Sequence, residues 1–227
     1  MRAAVLVFPG SNCDRDMEVA LRAAGADVVR LWHKEASLPA GLDLVAIPGG
    51  FSFGDYLRCG AIAARAPAMT AVAGFLRGGG YGLGVCNGFQ VLLEAGLLPG
   101  ALMRNRGLTF LRRDVSLRIE TADSAFTRGY AMGAEISLPI AHHDGCYVAE
   151  PETLARLDAE DRVALRYLPP NPNGSMDDIA GVLSENRRVL GLMPHPERAA
   201  DPALGGADAR ADGAPLFAGL VGALVGA

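Results

Sequence analysis

Gly82-Leu83-Gly84-Val85-Cys86-Asn87-Gly88-Phe89-Gln90 is the stretch that decides how this chain reads. An apolar run ends at Val85, and Phe89-Gln90-Val91-Leu92-Leu93-Glu94-Ala95 then takes helical spacing, closed by Gly96 and Pro99. Cys86 therefore stands at a strand-to-helix corner. A side chain at so sharp a corner is forced into a strained backbone conformation. Neighbours without a β-carbon, here Gly84 and Gly88, keep it clear of the adjoining strand and helix. The first N–H groups of the helix have no partner and carry partial positive charge, which favours thiolate over thiol. The G-x-C-x-G spacing predicts a nucleophile elbow. A buried structural cysteine in a glycine-rich turn is the other reading these nine residues allow.

Upstream of the elbow, strand and helix signals alternate. Residues 2–8 read as a buried strand, Asp14 to Ala24 as a helix stopped by Gly25, Val28 to Trp32 and Leu42 to Ile47 as strands, and Pro67 to Arg77 as a helix. Apolar strands without a polar face, alternating with helices, predict an α/β fold: a flavodoxin-like, mostly parallel sheet flanked by helices. In that architecture the loops at the carboxyl ends of the strands carry the site. Pro9-Gly10-Ser11-Asn12, Pro48-Gly49-Gly50-Phe51 and the Cys86 corner are then expected on one edge.

Downstream, from about Leu102 to Pro170, short alternating runs such as Val115 to Ile119 and Val163 to Tyr167 replace this pattern, with few helical stretches. They predict an antiparallel elaboration in the second half. Ile179 to Leu183 and Val189 to Met193 read as paired strands around Ser184-Glu185-Asn186-Arg187. Asp201 to Gly213, rich in Ala, Gly and Asp, reads as a mobile loop before a final helix near Leu216 to Leu224. No repeat and no long linker divides the chain, so residues 1–227 are expected to form one domain.

A thiolate nucleophile needs a base, and the base needs an orienter. Met193-Pro194-His195-Pro196-Glu197-Arg198 offers both. Pro196 pushes His195 into an extended backbone, where residues two apart project to one side. Glu197 can then hold one ring nitrogen while the other faces the sulfur. Taken alone, this hexapeptide also fits a surface histidine in a proline-rich turn. For a developing oxyanion, the Gly49-Gly50-Phe51 turn can bring a backbone N–H close and Asn87 supplies the N–H after the nucleophile, though plain turn residues are the other reading. His142 and His143 beside Asp144 lack a further convergent ligand, so no metal is expected there. His33 reads as ordinary surface. The single lysine, Lys34, follows no glycine loop, so a G-x-x-x-x-G-K-[ST] phosphate cradle is absent and an ATP-driven step would fall to another subunit.

The chain has 227 residues, half of them hydrophobic, enough for a full core. Its 21 basic and 25 acidic residues are intermixed and sum to -4, which leaves no basic stripe for nucleic acid. Cys13, Cys59, Cys86 and Cys146 form no C-x-x-C pair, which argues against a zinc site or a redox dithiol. No apolar run approaches the roughly 20 residues of a membrane span. These features predict a cytoplasmic protein with small-molecule and protein partners, no nucleic acid and no membrane.

Together the Cys86 elbow and the His195/Glu197 pair resemble the class I, or triad, glutamine amidotransferases, which use Cys, His and Glu in this chain order. Pro9 to Asp14, the long Pro48 to Ala63 run, Gly84 to Gln90 and Met193 to Arg198 are similar to the purine-pathway branch of that family, over nearly the whole chain. The resemblance implies Cys86 as nucleophile, His195 as base and then acid, and Glu197 as orienter. It also implies Gly50 and Asn87 as oxyanion donors, and Gln90 as a residue shaping the glutamine pocket. It implies no cofactor and no metal in this chain. Ammonia released from glutamine would pass to a large synthetase subunit that uses ATP and Mg, with a small accessory subunit in the complex. That synthetase converts formylglycinamide ribonucleotide to its amidine. A γ-glutamyl hydrolase, a glutaminase serving another synthetase and a non-catalytic flavodoxin-like module are the alternatives. The chain departs from the branch at His143-Asp144, where Gly-Glu is usual, at Cys146, where Asn is usual, and in a slightly longer Asp201 to Gly213 loop.

Overall fold

The computed structural model describes residues 1–204 and 210–225. In chain order the strands and helices are β1 (Arg2–Val7), α1 (Asp14–Ala23), β2 (Asp27–Trp32), β3 (Leu44–Ile47), α2 (Pro67–Arg77), β4 (Tyr81–Val85) and α3 (Asn87–Glu94). There follow β5 (Ala101–Met103), β6 (Leu111–Ile119), β7 (Glu135–His142), β8 (Cys146–Val148), α4 (Pro151–Ala159), β9 (Val163–Tyr167), β10 (Ile179–Leu183), β11 (Val189–Leu192) and α5 (Ala214–Val225).

Nine strands form one sheet in the order β2-β1-β3-β4-β11-β10-β9-β6-β7, and β5 pairs with β8 in a small second sheet. From β2 to β11 the neighbours are parallel, and from β11 outward they are antiparallel. β1, β3, β4, β10 and β11 are buried along nearly their whole length, as strands covered on both faces must be. The antiparallel half belongs to the same sheet rather than standing apart from it. Alternation along β6 and β7 fixes which face is buried but not which strand lies next, so sequence alone leaves the pairing partner open.

Three expectations need correction. His33, expected on the surface, is instead buried, 6% exposed and packed beside Phe8 and Phe53. The stretch after Leu102 contains α4, which has Pro at its first turn and buries Leu154 and Leu157. Of the Asp201 to Gly213 loop, residues 205–209 lie outside the described residues, but its far end is fastened. Asp212 Oδ2 accepts the Ser137 N–H at 2.8 Å, Asp212 O accepts the Tyr130 hydroxyl at 2.7 Å, and Gly213 N–H donates to Ala199 O at 2.9 Å. Among the described residues no helix is long and apolar enough to cross a membrane.

β4 lies between β3 and β11, and this adjacency builds the site. The carboxyl end of β4 delivers Cys86, the carboxyl end of β11 leads to His195, and the carboxyl end of β3 leads to Gly49-Gly50. Ser11 and Gly50 form an isolated antiparallel bridge, which joins the loop after β1 to the same edge.

Candidate active site

Cys86 occupies φ 52°, ψ −106°, a region costly for a residue with a β-carbon. Its N–H donates to Leu192 O at 2.8 Å, so the corner is tied to the end of β11. The flanking glycines are obligatory for packing. A β-carbon at 88 would lie 1.8 Å from Ile47 O, and one at 84 would lie 2.4 Å from a Leu92 methyl. The thiol is buried, 3.6 Å from Ala141 O.

His195 and Glu197 meet, though not along a continuous extended run. His195 is extended at φ −104°, ψ 88°, as the residue before a proline must be, and Pro196–Ala199 then forms a 3₁₀ turn that brings Glu197 back beneath the ring. His195 Nδ1 lies 2.6 Å from Glu197 Oε1 with both side chains buried. The backbone of His195 is fixed as well, its N–H donating to Pro139 O at 2.8 Å. Burial opposes charge on the imidazole. The Glu197 carboxylate outweighs it, aided by the nearby Cys86 and Cys13 sulfurs, and holds His195 well above the ordinary histidine range. His195 Nε2 has no hydrogen-bond partner among the described residues. The arrangement is a buried imidazole with one nitrogen anchored, the other without a partner among the described residues, and a cysteine sulfur near enough to raise its proton affinity.

The free edge of β7 forms one wall. Ser137, Pro139 and Ala141 turn their backbone groups toward Asp212, His195 and Cys86 respectively. Pro139 is tolerated there because its nitrogen faces the open edge, where no ladder bond is needed. Beyond β7, Asn105 Nδ2 donates to Thr109 O and His142 O, so Asn105 Oδ1 is the acceptor for Gly145 N–H at 3.1 Å and for His142 Nδ1 at 3.0 Å. That fixes the His142 tautomer with its proton on Nδ1. Burial, with the nearby His195 charge, pushes His142 down to about 4, so it is neutral at physiological pH.

Asn87 and Gln90 are both buried and mutually engaged. Asn87 Oδ1 accepts Ser52 N–H at 3.1 Å, Asn87 Nδ2 donates to Gln90 Oε1 at 2.8 Å, and Gln90 Nε2 donates to Asp144 O at 2.8 Å. Gln90 therefore acts on the 143–145 loop, holding it against the elbow helix. Gly50 has φ 151°, and a β-carbon there would lie 2.8 Å from Gly10 O, so the 48–50 turn locks into the loop after β1. A cleft of about 440 Å³ is lined by Asp55, Cys59, Arg104, Phe110, His143 and Asp144. Cys59 Sγ donates to Asp144 Oδ2 at 2.9 Å, and burial raises the Asp55 carboxyl. A second cleft, about 450 Å³, is lined by Leu97, Arg156, Arg162 and Asn186 and lies at the opposite strand ends, away from Cys86.

Sequence reading missed Cys13 and Arg198. Cys13 Sγ is 4.0 Å from His195 Nδ1, and Arg198 Nη2 donates to it at 2.9 Å. Both residues lie inside motifs legible in the chain, but nothing in their spacing joins a loop after β1 to the turn after β11. Cys13, His195 and Glu197 offer ligand atoms all within 4.8 Å of one another, whereas His142, His143 and Asp144 form no such group among the described residues.

Residues 1–205 match the model of the CobB/CobQ-like glutamine amidotransferase domain. The phosphoribosylformylglycinamidine synthase subunit PurQ of Cereibacter sphaeroides is 66% identical over 224 residues, 99% of each chain, and that of Ruegeria pomeroyi is 63% identical over 224 residues, again 99% of each. The structure of PurLQS from Thermotoga maritima includes a chain that superposes with a TM-score of 0.88 at 42% identity, covering 98% of both chains. With the fold, the elbow and this full-length likeness in agreement, the chain belongs to the PurQ family, the class I glutamine amidotransferase subunits of phosphoribosylformylglycinamidine synthase.

Proposed function

We propose that this chain hydrolyses glutamine to glutamate and ammonia through a thioester on Cys86. The observation that carries the reading is the buried His195–Glu197 pair, 2.6 Å apart, with the remaining ring nitrogen open beside an elbow cysteine. The Cys86 thiolate attacks the side-chain carboxamide carbon. The N–H groups of Gly50 and Asn87 receive the oxyanion; Asn87 supplies the first N–H of α3, which has no intrahelical acceptor. The imidazolium of His195 gives its proton to the departing nitrogen, and ammonia leaves. Water, losing a proton to the same nitrogen, then attacks the thioester and releases glutamate and the thiolate. Glu197 keeps the ring in one tautomer and stabilises its charged form throughout. Asn87 and Gln90 support the pocket wall through the 143–145 loop.

The ammonia serves a large synthetase subunit, with a small accessory subunit in the complex, as the PurLQS relative suggests. ATP and Mg belong to that synthetase; this chain carries no cofactor of its own. In the reconstituted complex, Cys86→Ala is expected to lower glutamine-dependent amidine synthesis by at least about a thousandfold while ammonia-dependent synthesis stays within about twofold. Loss of both activities would overturn the reading.

A further inference from the structure

We propose that Cys13 Sγ, His195 Nδ1 and a Glu197 carboxylate oxygen form an inhibitory site for a thiophilic divalent cation of the zinc class. The inference rests on the proposed role of His195 only for its inhibitory consequence; the binding itself stands on geometry. The three ligand atoms come from two loops at one sheet edge and lie within 4.8 Å of one another. Tetrahedral zinc, with bonds of about 2.3 Å to sulfur and about 2.0–2.1 Å to nitrogen and oxygen, needs roughly 3.5 Å between sulfur and nitrogen and roughly 3.3 Å between nitrogen and oxygen. The observed separations are 4.0 Å from Cys13 Sγ to His195 Nδ1 and 2.6 Å from His195 Nδ1 to Glu197 Oε1. These two gaps have to change by less than 1 Å, the sulfur-to-carboxylate separation is already within 4.8 Å, and the Glu197 side chain has a spare donor atom. Its Oε2 is buried, with no hydrogen-bond partner among the described residues.

The charges allow the exchange. Binding a dication displaces two protons, that of the Cys13 thiol and the Nδ1 proton of the His195 imidazolium, whose ring stays neutral with its proton on Nε2, so the net charge of the buried cluster is unchanged. Arg198 Nη2, 2.9 Å from the sulfur, donates to it in either state, and Asp16, 3.3 Å from Arg198 Nε, offsets the guanidinium. The Arg198 side chain, which touches the sulfur, is itself about a third exposed. One sulfur, one imidazole and one carboxylate form a donor set that suits zinc and disfavours magnesium. The consequence follows from the atom occupied. A cation on Nδ1 removes the proton that Glu197 holds and prevents the ring from becoming an imidazolium, while Nε2 still faces Cys86. The base is switched off without contact with the nucleophile.

Cobalt(II) and zinc are the probes, on the full chain. In Cys86→Ala, which has no nucleophile sulfur, one cobalt per chain is expected to give a thiolate-to-cobalt charge-transfer band that zinc displaces. In Cys86→Ala/Cys13→Ser the band is expected to vanish, with affinity about tenfold or more weaker. No band in Cys86→Ala, or a band that survives loss of Cys13, overturns the site. If Cys13→Ser does not fold, Cys13→Ala replaces it. X-ray absorption of zinc on the wild-type chain with Cys86 alkylated must also show one sulfur neighbour; none overturns the proposal. For the inhibitory role, zinc is expected to block wild-type glutamine hydrolysis reversibly on chelation, and Cys13→Ser to require about tenfold more zinc. Equal sensitivity means that zinc acts at Cys86 and overturns the role. The cobalt measurement needs no turnover, so its failure sinks the metal site and leaves the glutaminase reading standing, while failure of the Cys86→Ala reconstitution sinks the glutaminase reading and the inhibitory role but not the metal site.

Discussion

At residue 88 only a hydrogen fits, because the space a β-carbon would take is already filled by the carbonyl of Ile47 at 1.8 Å. Backbone cannot swing aside as a side chain can. Gly88→Ala is therefore expected to cost about 3 kcal/mol, read as a lower urea midpoint with an unchanged m-value. Two buried histidines act on stability with opposite sign. His142 takes a proton at about 4 when folded and at 6.5 when free, so the unfolded chain binds more protons in between. Stability should fall by on the order of 3 kcal/mol as pH drops from 6.5 to 4. His142→Asn is expected to be less stable at neutral pH but to lose less on acidification, as chemical denaturation across that range will show. His195, raised by Glu197, contributes stability that is present below pH 6.5 and lost as pH rises through its folded value.

Among the elements, β7 is the one whose free edge serves the site, and Asp212 closes that edge where β7 begins. Asp212→Ala removes the acceptor of Ser137 N–H and is expected to destabilise the fold by about 1–2 kcal/mol. Turnover should fall too, because Pro139 and Ala141 on the same edge hold His195 and face Cys86; denaturation and glutaminase assays on one variant test both. The parallel half was legible because each element announces itself locally: an apolar run, a cap, a glycine stop. Its helices and strands match expectation within a few residues. The antiparallel half was legible as strands but not as neighbours, since β6 finds β9 and β7 only once the chain has folded. α4 was missed because just two buried leucines mark its inner face. At the site, Cys86, His195 and Glu197 stood out by local spacing. Cys13, Asn105 and Arg198 did not, for their partners lie far away in sequence.

Across the whole molecule, the carboxyl ends of the parallel strands gather the elbow, the His195 turn and the glycine turn at one edge. The cleft at the opposite strand ends carries none of these residues. Arg156→Ala with Asn186→Ala, both lining that far cleft, is expected to leave glutamine-dependent synthesis by the complex within about twofold. A larger loss would show that the far side takes part.

The position of β11 also sets a schedule. Cys86 is made early, yet its corner is pinned by Leu192, and β11 enters the sheet between β4 and β10 only after almost the whole chain has been synthesised. A nascent chain carries the cysteine through most of translation before His195 is made and, on the proposed mechanism, is inert toward glutamine. Over the same interval the β4 edge destined for β11 is unpaired, an apolar template for misassociation. The last fifth of the polypeptide thus both ignites the chemistry and seals the sheet, and a truncated product can do neither.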